Sequence, residues 1–413
     1  MPLPQRHHSP RQRITLLRDI AVAGPDRREE LTAAYDYQAV HTCAADSMCV
    51  TACPVRIDTG KVMKTFRAAA RPAPVQAAGA AAARAWGPTT AALRGALTVA
   101  EAVPGPVLRG LSAGVRKVAG ETVRDWVPQV GDLPGAGTAR AALAAHSPAV
   151  VPPEQAPGAA QAVYFPACIG SLFAAEGDGA GVAVAFLRLC ARAGVRVVVP
   201  AGIDGLCCAT VWESKGLVDG ATVMARKVAA AVWQASDGGR LPVVCDATSC
   251  THGLTGIRAR LGEEDARRWD RLTLLDAVTF ARATLLPRLA LRPLPSLALH
   301  PTCSAVHLGA VGDLTVLARA VAREVTVPDT WGCCGTAGDR GMLHPELTAS
   351  ATAAQAAELA ARERRGGTFG AYASCNRTCE MGMTAATGRP YRHILEILEE
   401  ASRGRPLAPP PRA

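Results

Sequence analysis

Aromatic residues are scarce in this chain, 4% of 413 residues, and its arginines are scattered rather than striped. With no recognised nucleic-acid motif, such a composition lacks the basic stripe and stacking platform of a nucleic-acid binder. No apolar run reaches the ~18 residues that mark a membrane-spanning helix. The Ala-rich stretch from Ala68 to Ala102 comes nearest, but Arg71, Arg84, Arg94 and Gly87-Pro88 interrupt it. A charged-then-apolar secretion signal is missing too, since proline, arginine and histidine crowd the first eight residues. Cysteine numbers 14, about 3% of the chain, against the roughly 8–10% of small disulfide scaffolds. Reduced thiols in a cytoplasmic setting are therefore expected, where clustered cysteines point to metal or redox chemistry.

What is present is a large globular chain. Its length suggests two or three domains, and 49% hydrophobic residues suffice for buried cores. The net charge of +10 and pI near 9.1 suit an acidic partner or anionic lipid, hence a peripheral contact at the inner face of the cell membrane.

The cysteines are not spread evenly. Trp331-Gly332-Cys333-Cys334-Gly335 contains an adjacent pair, and Cys207-Cys208 is another. Neighbouring cysteines bridge each other only with strain, because a disulfide needs α-carbons about 4.4–6.8 Å apart with facing β-carbons. Two thiolates side by side can instead reach one metal cluster. Each pair has a lone cysteine upstream, Cys168 or Cys303, and another downstream, Cys250 or Cys379. The spacings from first cysteine to pair are 39 and 30 residues, and from pair to last 42 and 45, which reads as an internal duplication.

A third group lies near the N-terminus. Ser9-Pro10 caps and starts a helix expected to run to about Ala23, with Ile14, Leu17 and Ile20 on one face and Arg11, Arg13 and Arg18 outside it. After Gly24-Pro25, Asp26 with Glu29 resembles a capping box for a second helix. Cys43, Cys49 and Cys53-Pro54 then follow the bacterial ferredoxin run C-x2-C-x2-C-x3-C-P, with Asp46 where the second cysteine belongs. That spacing points to an iron–sulfur site, with zinc or buried thiols as alternatives. A carboxylate is a harder ligand than a thiolate, so Asp46 either holds a labile iron or stands aside and leaves a three-iron cluster.

Residues 1–72 are thus expected to form a partial ferredoxin-like helical domain. Residues 73–155 read as Ala-rich helices broken at Gly87-Pro88, Pro104-Gly105-Pro106 and Pro134-Gly135, with a Pro-rich linker and no evident chemistry. Short apolar strands then alternate with amphipathic helices, the pattern of α/β architecture. The duplicated α/β units span 156–290 and 291–404, followed by a Pro-rich tail, 405–413. Expected strands are Ala162–Phe165, Val195–Val199, Leu241–Val244, Ser296–Leu299, Glu324–Val327 and Thr368–Ala373. Helices are expected near Gly181–Arg192, Lys215–Ala235 and Pro345–Arg365. Cys168, Cys250, Cys303 and Cys379 then follow strands closely, and both pairs sit in loops after strands. Open α/β sheets bind ligands beyond the carboxyl ends of their strands, so each set can converge there. Cys190 reads as a packing residue on a helix, whereas Cys245 and Cys375 could be packing or ligating. His41 and His300 lie near cysteine motifs, where a satisfied or exposed imidazole is the plainer reading.

Paired halves with a cysteine, a Cys-Cys-Gly and a final cysteine resemble the cysteine-rich domains of heterodisulfide reductase B subunits and glycolate oxidase iron–sulfur subunits. The likeness is greatest to the C-terminal half of FAD-linked D-lactate dehydrogenases of the cytochrome type, through Ser9–Ile14, Cys43–Val55, Trp212–Gly216, Ser374–Glu380 and Thr387–Tyr391. The resemblance implies [4Fe-4S] clusters and electron transfer from flavin to a quinone or cytochrome. FAD is then expected on a dehydrogenase partner or in a domain preceding Ser9. Its metal ligands would be Cys43, Asp46, Cys49, Cys53, Cys168, Cys207, Cys208, Cys250, Cys303, Cys333, Cys334 and Cys379. Departures are Ala209 in place of glycine after the first pair, and Ala247 and Asn376 in place of the first cysteine of each closing C-x-x-C. These put noncubane clusters in doubt. A heterodisulfide-reductase-like thiol/disulfide oxidoreductase and a zinc-stabilised or truncated scaffold without enzymatic activity are the rival expectations.

Overall fold

The computed structural model describes residues 9–118, 126–128, 134–145 and 147–403; the Pro-rich tail lies outside them. Two four-stranded parallel sheets dominate the fold, in strand orders β2-β1-β3-β4 and β6-β5-β7-β8. The first contains β1 (Ala162–Phe165), β2 (Val197–Val198), β3 (Val243–Cys245) and β4 (Leu274–Asp276), and the second β5 (Leu294–Leu299), β6 (Ala322–Thr326), β7 (Ala371–Ser374) and β8 (Tyr391–His393). Identical topology in both halves is the structural form of the duplication.

Parallel strands are covered on both faces, so they read as continuous apolar runs rather than alternating ones. Strand β1, Ala-Val-Tyr-Phe, is buried at every position. The expected strands are present with ends shifted by up to three residues, but β4 and β8 were not anticipated. Each has three residues and carries Asp276 or Arg392 and His393, which is too short and too polar for a pattern to show. One core joins the halves: the helix Val182–Arg192 buries Phe186 and Leu189 beside Ile394 and Leu398 of the helix Ile394–Ala401. Its last residue bonds across the junction, Arg192 Nη2 to Glu399 Oε1 at 2.9 Å and Nη1 to Ser402 Oγ at 2.6 Å.

The N-terminal helices Pro10–Val22, Pro25–Tyr35 and Thr59–Ala69 close a separate small core of Leu16, Leu31, Tyr35, Val40, Cys43 and Met63. Two details differ from the sequence reading. Gly24, not Asp26, caps the second helix, without a side-chain bond. Arg13 is buried rather than outside, because Nη1 donates to Cys43 Sγ at 3.1 Å.

The Ala-rich region forms helices Ala73–Arg84, Trp86–Glu101 and Gly105–Val118. The first break falls at Ala85, since Pro88 in the first turn of the next helix needs no hydrogen-bond partner for its nitrogen. Helix Ala73–Arg84 packs along Val218–Ala235, where Gly79 passes so close that a β-carbon there would meet Leu217 at 3.2 Å. Among the described residues no helix is long and apolar enough to cross a membrane.

Candidate metal centre

In a sheet ordered 2-1-3-4 the chain turns to opposite sides after the two central strands, leaving a crevice between their carboxyl ends. Four cysteines sit at these two crevices. Cys168 opens the helix after β1 and Cys250 lies in the helix after β3; Cys303 and Cys379 hold the matching places after β5 and β7. The adjacent pairs arrive in the loops after the neighbouring strands β2 and β6.

In the first unit the thiols form a ladder. Cys168 Sγ lies 3.5 Å from Cys207 Sγ, and Cys208 is hydrogen-bonded to Cys207 and Cys250, with Cys245 beyond. The second unit repeats it through Cys303, Cys333, Cys334 and Cys379. In both, the second cysteine of the pair receives bonds from two thiols, and these hold Cys208 and Cys334 well below the ordinary thiol range. Cys250 and Cys379 are pushed up chiefly by those contacts, and Cys207 and Cys333 chiefly by their contacts with Cys168 and Cys303. Beside the first ladder is the buried guanidinium of Arg140, which donates to Pro166 O at 3.1 Å and Leu206 O at 2.9 Å. It supplies positive charge next to Cys168.

The two crevices face each other. Thr248 and Thr302 hydroxyls lie 2.8 Å apart, Ser304 Oγ donates to Thr248 at 2.7 Å, and His252 stacks on His307 with ring centres 5.2 Å apart. Between the ladders is one cavity of about 830 Å³ touching all eight of these cysteines. The rest of its wall is largely apolar where the Ala-rich helices line it through Val75, Ala78 and Leu93, together with Trp212, while Asp46, Lys64, Lys215 and Asp339 also border it. Sequence reasoning gave this region no role, because alanine carries no chemistry to recognise. The usable signal was Gly79-Ala80 with Ala83, a small-residue face that lets one helix lie close on another.

The N-terminal run is placed differently from the ladders. Cys43 is buried, Cys49 accepts from Thr59 Oγ1 at 3.2 Å and Cys53 is half-buried. Among the described residues these three thiols do not all come within 4.8 Å of one another. Asp46 is flanked by Ala45 and Ser47, both at positive φ, 49° and 58°, and accepts from Met48 N at 3.3 Å. Its carboxylate lies within 4.8 Å of the Cys303 and Cys333 thiols. Cys190 is fully buried in a helix, its thiol pushed up by burial. Cys375 is buried against Thr302, 3.5 Å from its hydroxyl. Asn376, in the place of a family cysteine, accepts from Ser249 at 2.7 Å and turns its amide nitrogen to Cys379 Sγ at 3.6 Å.

Soft thiolate sets of this kind suit iron–sulfur clusters or zinc, and all 14 cysteines are unbridged. No protein-family model matches the chain. The glycolate oxidase iron–sulfur subunit of Escherichia coli K12 is 28% identical over 221 residues, which is 52% of this chain and 52% of that protein. The chain therefore aligns with about half the length of this curated relative. On cysteine pattern, duplicated topology and alignment together, the chain resembles the glycolate oxidase iron–sulfur subunit family.

Proposed function

We propose that this protein is an iron–sulfur electron carrier serving a flavin-linked 2-hydroxyacid dehydrogenase of the glycolate or D-lactate type. FAD resides on a partner polypeptide or domain, and a quinone or cytochrome takes the electrons onward. The observation that carries this reading is the single cavity reached by both cysteine ladders, and the relative named for its iron–sulfur role supports it. In each unit the four thiols of the ladder hold one cluster of the [4Fe-4S] kind, and Cys43, Cys49 and Cys53 contribute a further site. A bound cluster supplies one-electron chemistry at a potential set by its surroundings. This chain's residues provide those surroundings: Arg140 offsets thiolate charge, Asn376 donates to Cys379, and a largely apolar wall borders the sulfurs.

A peripheral membrane contact at the cytoplasmic face belongs to the same proposal. Helix Gly105–Val118 leaves Val107, Leu111, Val115 and Val118 exposed, with Arg109 and Lys117 on the same helix. An exposed apolar stripe with basic flanks suits an anionic bilayer surface.

Anaerobic reconstitution with iron and sulfide, followed by metal and sulfide analysis, tests the reading. Binding of zinc alone ends it. A second reading, disulfide cleavage in the cavity, rests on a volume of about 830 Å³ within the range of small-molecule sites. Disulfide turnover without added flavoprotein favours that alternative.

A further inference from the structure

The two ladders are alike in sulfur but not in what surrounds it. Behind the first ladder stands another thiol, Cys245, at the end of β3. The second ladder has an imidazole and a carboxylate in reach. A nitrogen of His300 lies within 4.8 Å of the Cys334 and Cys379 thiols, and a carboxylate oxygen of Asp46 within 4.8 Å of Cys303 and Cys333.

The state of His300 follows from its neighbour. Gln355 Nε2 donates to Gly332 O at 3.3 Å, so Gln355 Oε1 faces His300 Nδ1, 3.0 Å away. An amide oxygen only accepts, hence Nδ1 carries the proton and Nε2 presents its lone pair. That Nε2 is buried, in a residue 1% exposed, with no nitrogen or oxygen partner and the Cys334 thiol beside it. An imidazole held through Nδ1 by a fixed oxygen, its other nitrogen turned towards the metal ligands, is the usual arrangement of a metal-bound histidine. Asp46 is held as well, since His307 Nε2 donates to its main-chain oxygen at 2.7 Å and Met48 N to its carboxylate Oδ1 at 3.3 Å.

We propose that the second unit builds a mixed-ligand centre, in which His300 nitrogen and Asp46 oxygen join the Cys303, Cys333, Cys334 and Cys379 sulfurs, while the first unit binds through sulfur alone. This rests on the iron–sulfur reading above and deepens it. Asp46 thereby leaves the N-terminal run, where the sequence placed it, and serves the second ladder. Neutral imidazole and anionic carboxylate donors beside the sulfurs change the charge and hydrogen bonding at a cluster, which set its potential. The two centres are thus unequal.

The test uses the full chain labelled with 15N-histidine, reconstituted with iron and sulfide, reduced with dithionite and read by pulsed EPR. A nitrogen coupling on one cluster signal is expected, absent from His300→Leu. Asp46→Ala is expected to shift the g values of that same nitrogen-coupled signal. Normal iron and sulfide content with no nitrogen coupling in the unmutated chain overturns the inference and leaves the electron-carrier reading standing. An Asp46→Ala change confined to a nitrogen-free signal returns Asp46 to the N-terminal run and overturns its part. A chain that takes up no iron overturns both.

Discussion

Ala209 and Gly335 occupy the same position in the two units, one residue past each cysteine pair, and both are left-handed, with φ of +67° and +72°. Glycine takes that conformation freely, whereas a β-carbon there costs about 1–2 kcal/mol. Ala209→Gly is therefore expected to stabilise the protein by about 0.5–1 kcal/mol, with the iron content unchanged. Thermal denaturation of the reconstituted chain reads the first quantity and metal analysis the second. Gly335→Ala should do the opposite, more severely, since its β-carbon would also meet Leu347 O at 3.0 Å.

Arg67 fastens the N-terminal helices to the first unit. Its guanidinium donates to Val40 O at 3.2 and 2.7 Å, to Cys43 O at 2.7 Å and to Ser214 O at 2.9 Å. Arg67→Ala leaves buried carbonyls without donors, at a cost of roughly 3 kcal/mol or more. A lower denaturation midpoint and faster amide exchange around Cys43 are expected. Unchanged exchange there would show that Arg67 is not the fastener.

The thiols divide by role. Cys208→Ser and Cys334→Ser should each lower bound iron by the content of one centre, because each removes the middle member of a ladder. Cys190→Ala should keep the iron and cost only about 1 kcal/mol of stability, as a buried thiol acting as a small apolar group. Iron-to-protein ratios of the three variants decide the matter.

Asp276 makes stability depend on pH. Burial pushes its carboxyl up to about 7, although Val278 N and Thr251 Oγ1 donate to it at 2.9 and 2.8 Å. A folded pKa above the unfolded value of about 4 favours folding fully below pH ~4. That contribution is lost as pH rises towards about 7. Asp276→Asn keeps the helix cap and removes the charge, so its stability should fall less than the unmutated chain's over this interval. Parallel slopes in chemical denaturation at several pH values would contradict the assignment.

Membrane contact is tested on the exposed helix. Leu111→Glu should weaken co-sedimentation with phosphatidylserine vesicles by about tenfold, the order expected for losing one buried leucine. Binding to neutral vesicles should be weak in both proteins. Equal sedimentation of variant and parent would exclude this helix as the contact.

Much of the fold was legible because a buried parallel strand is a run such as Ala-Val-Tyr-Phe, and the ladders because cysteine pairs carry their meaning locally. The edge strands Leu274–Asp276 and Tyr391–His393 were not legible, being three residues each with polar members. Asp46 was only partly legible for a different reason. Its position in the ferredoxin spacing is local, while its nearness to Cys303 and Cys333 comes from the tertiary fold, in which His307 bonds its main-chain oxygen from 261 residues away. His300 looked ordinary because its partner Gln355, whose Oε1 lies 3.0 Å from Nδ1, is 55 residues on.

Gly79 passes close over Leu217, whose side-chain atoms would lie 3.2 and 3.3 Å from a β-carbon there, and its carbonyl accepts from Trp212 Nε1 at 3.1 Å. Gly79 and Leu217 both line the chamber between the sulfur ladders, so part of its boundary is set by how closely a helix that belongs to neither sheet can approach. A methyl group added at Gly79 would press that boundary apart at Leu217 while leaving the sulfur-bearing loops untouched.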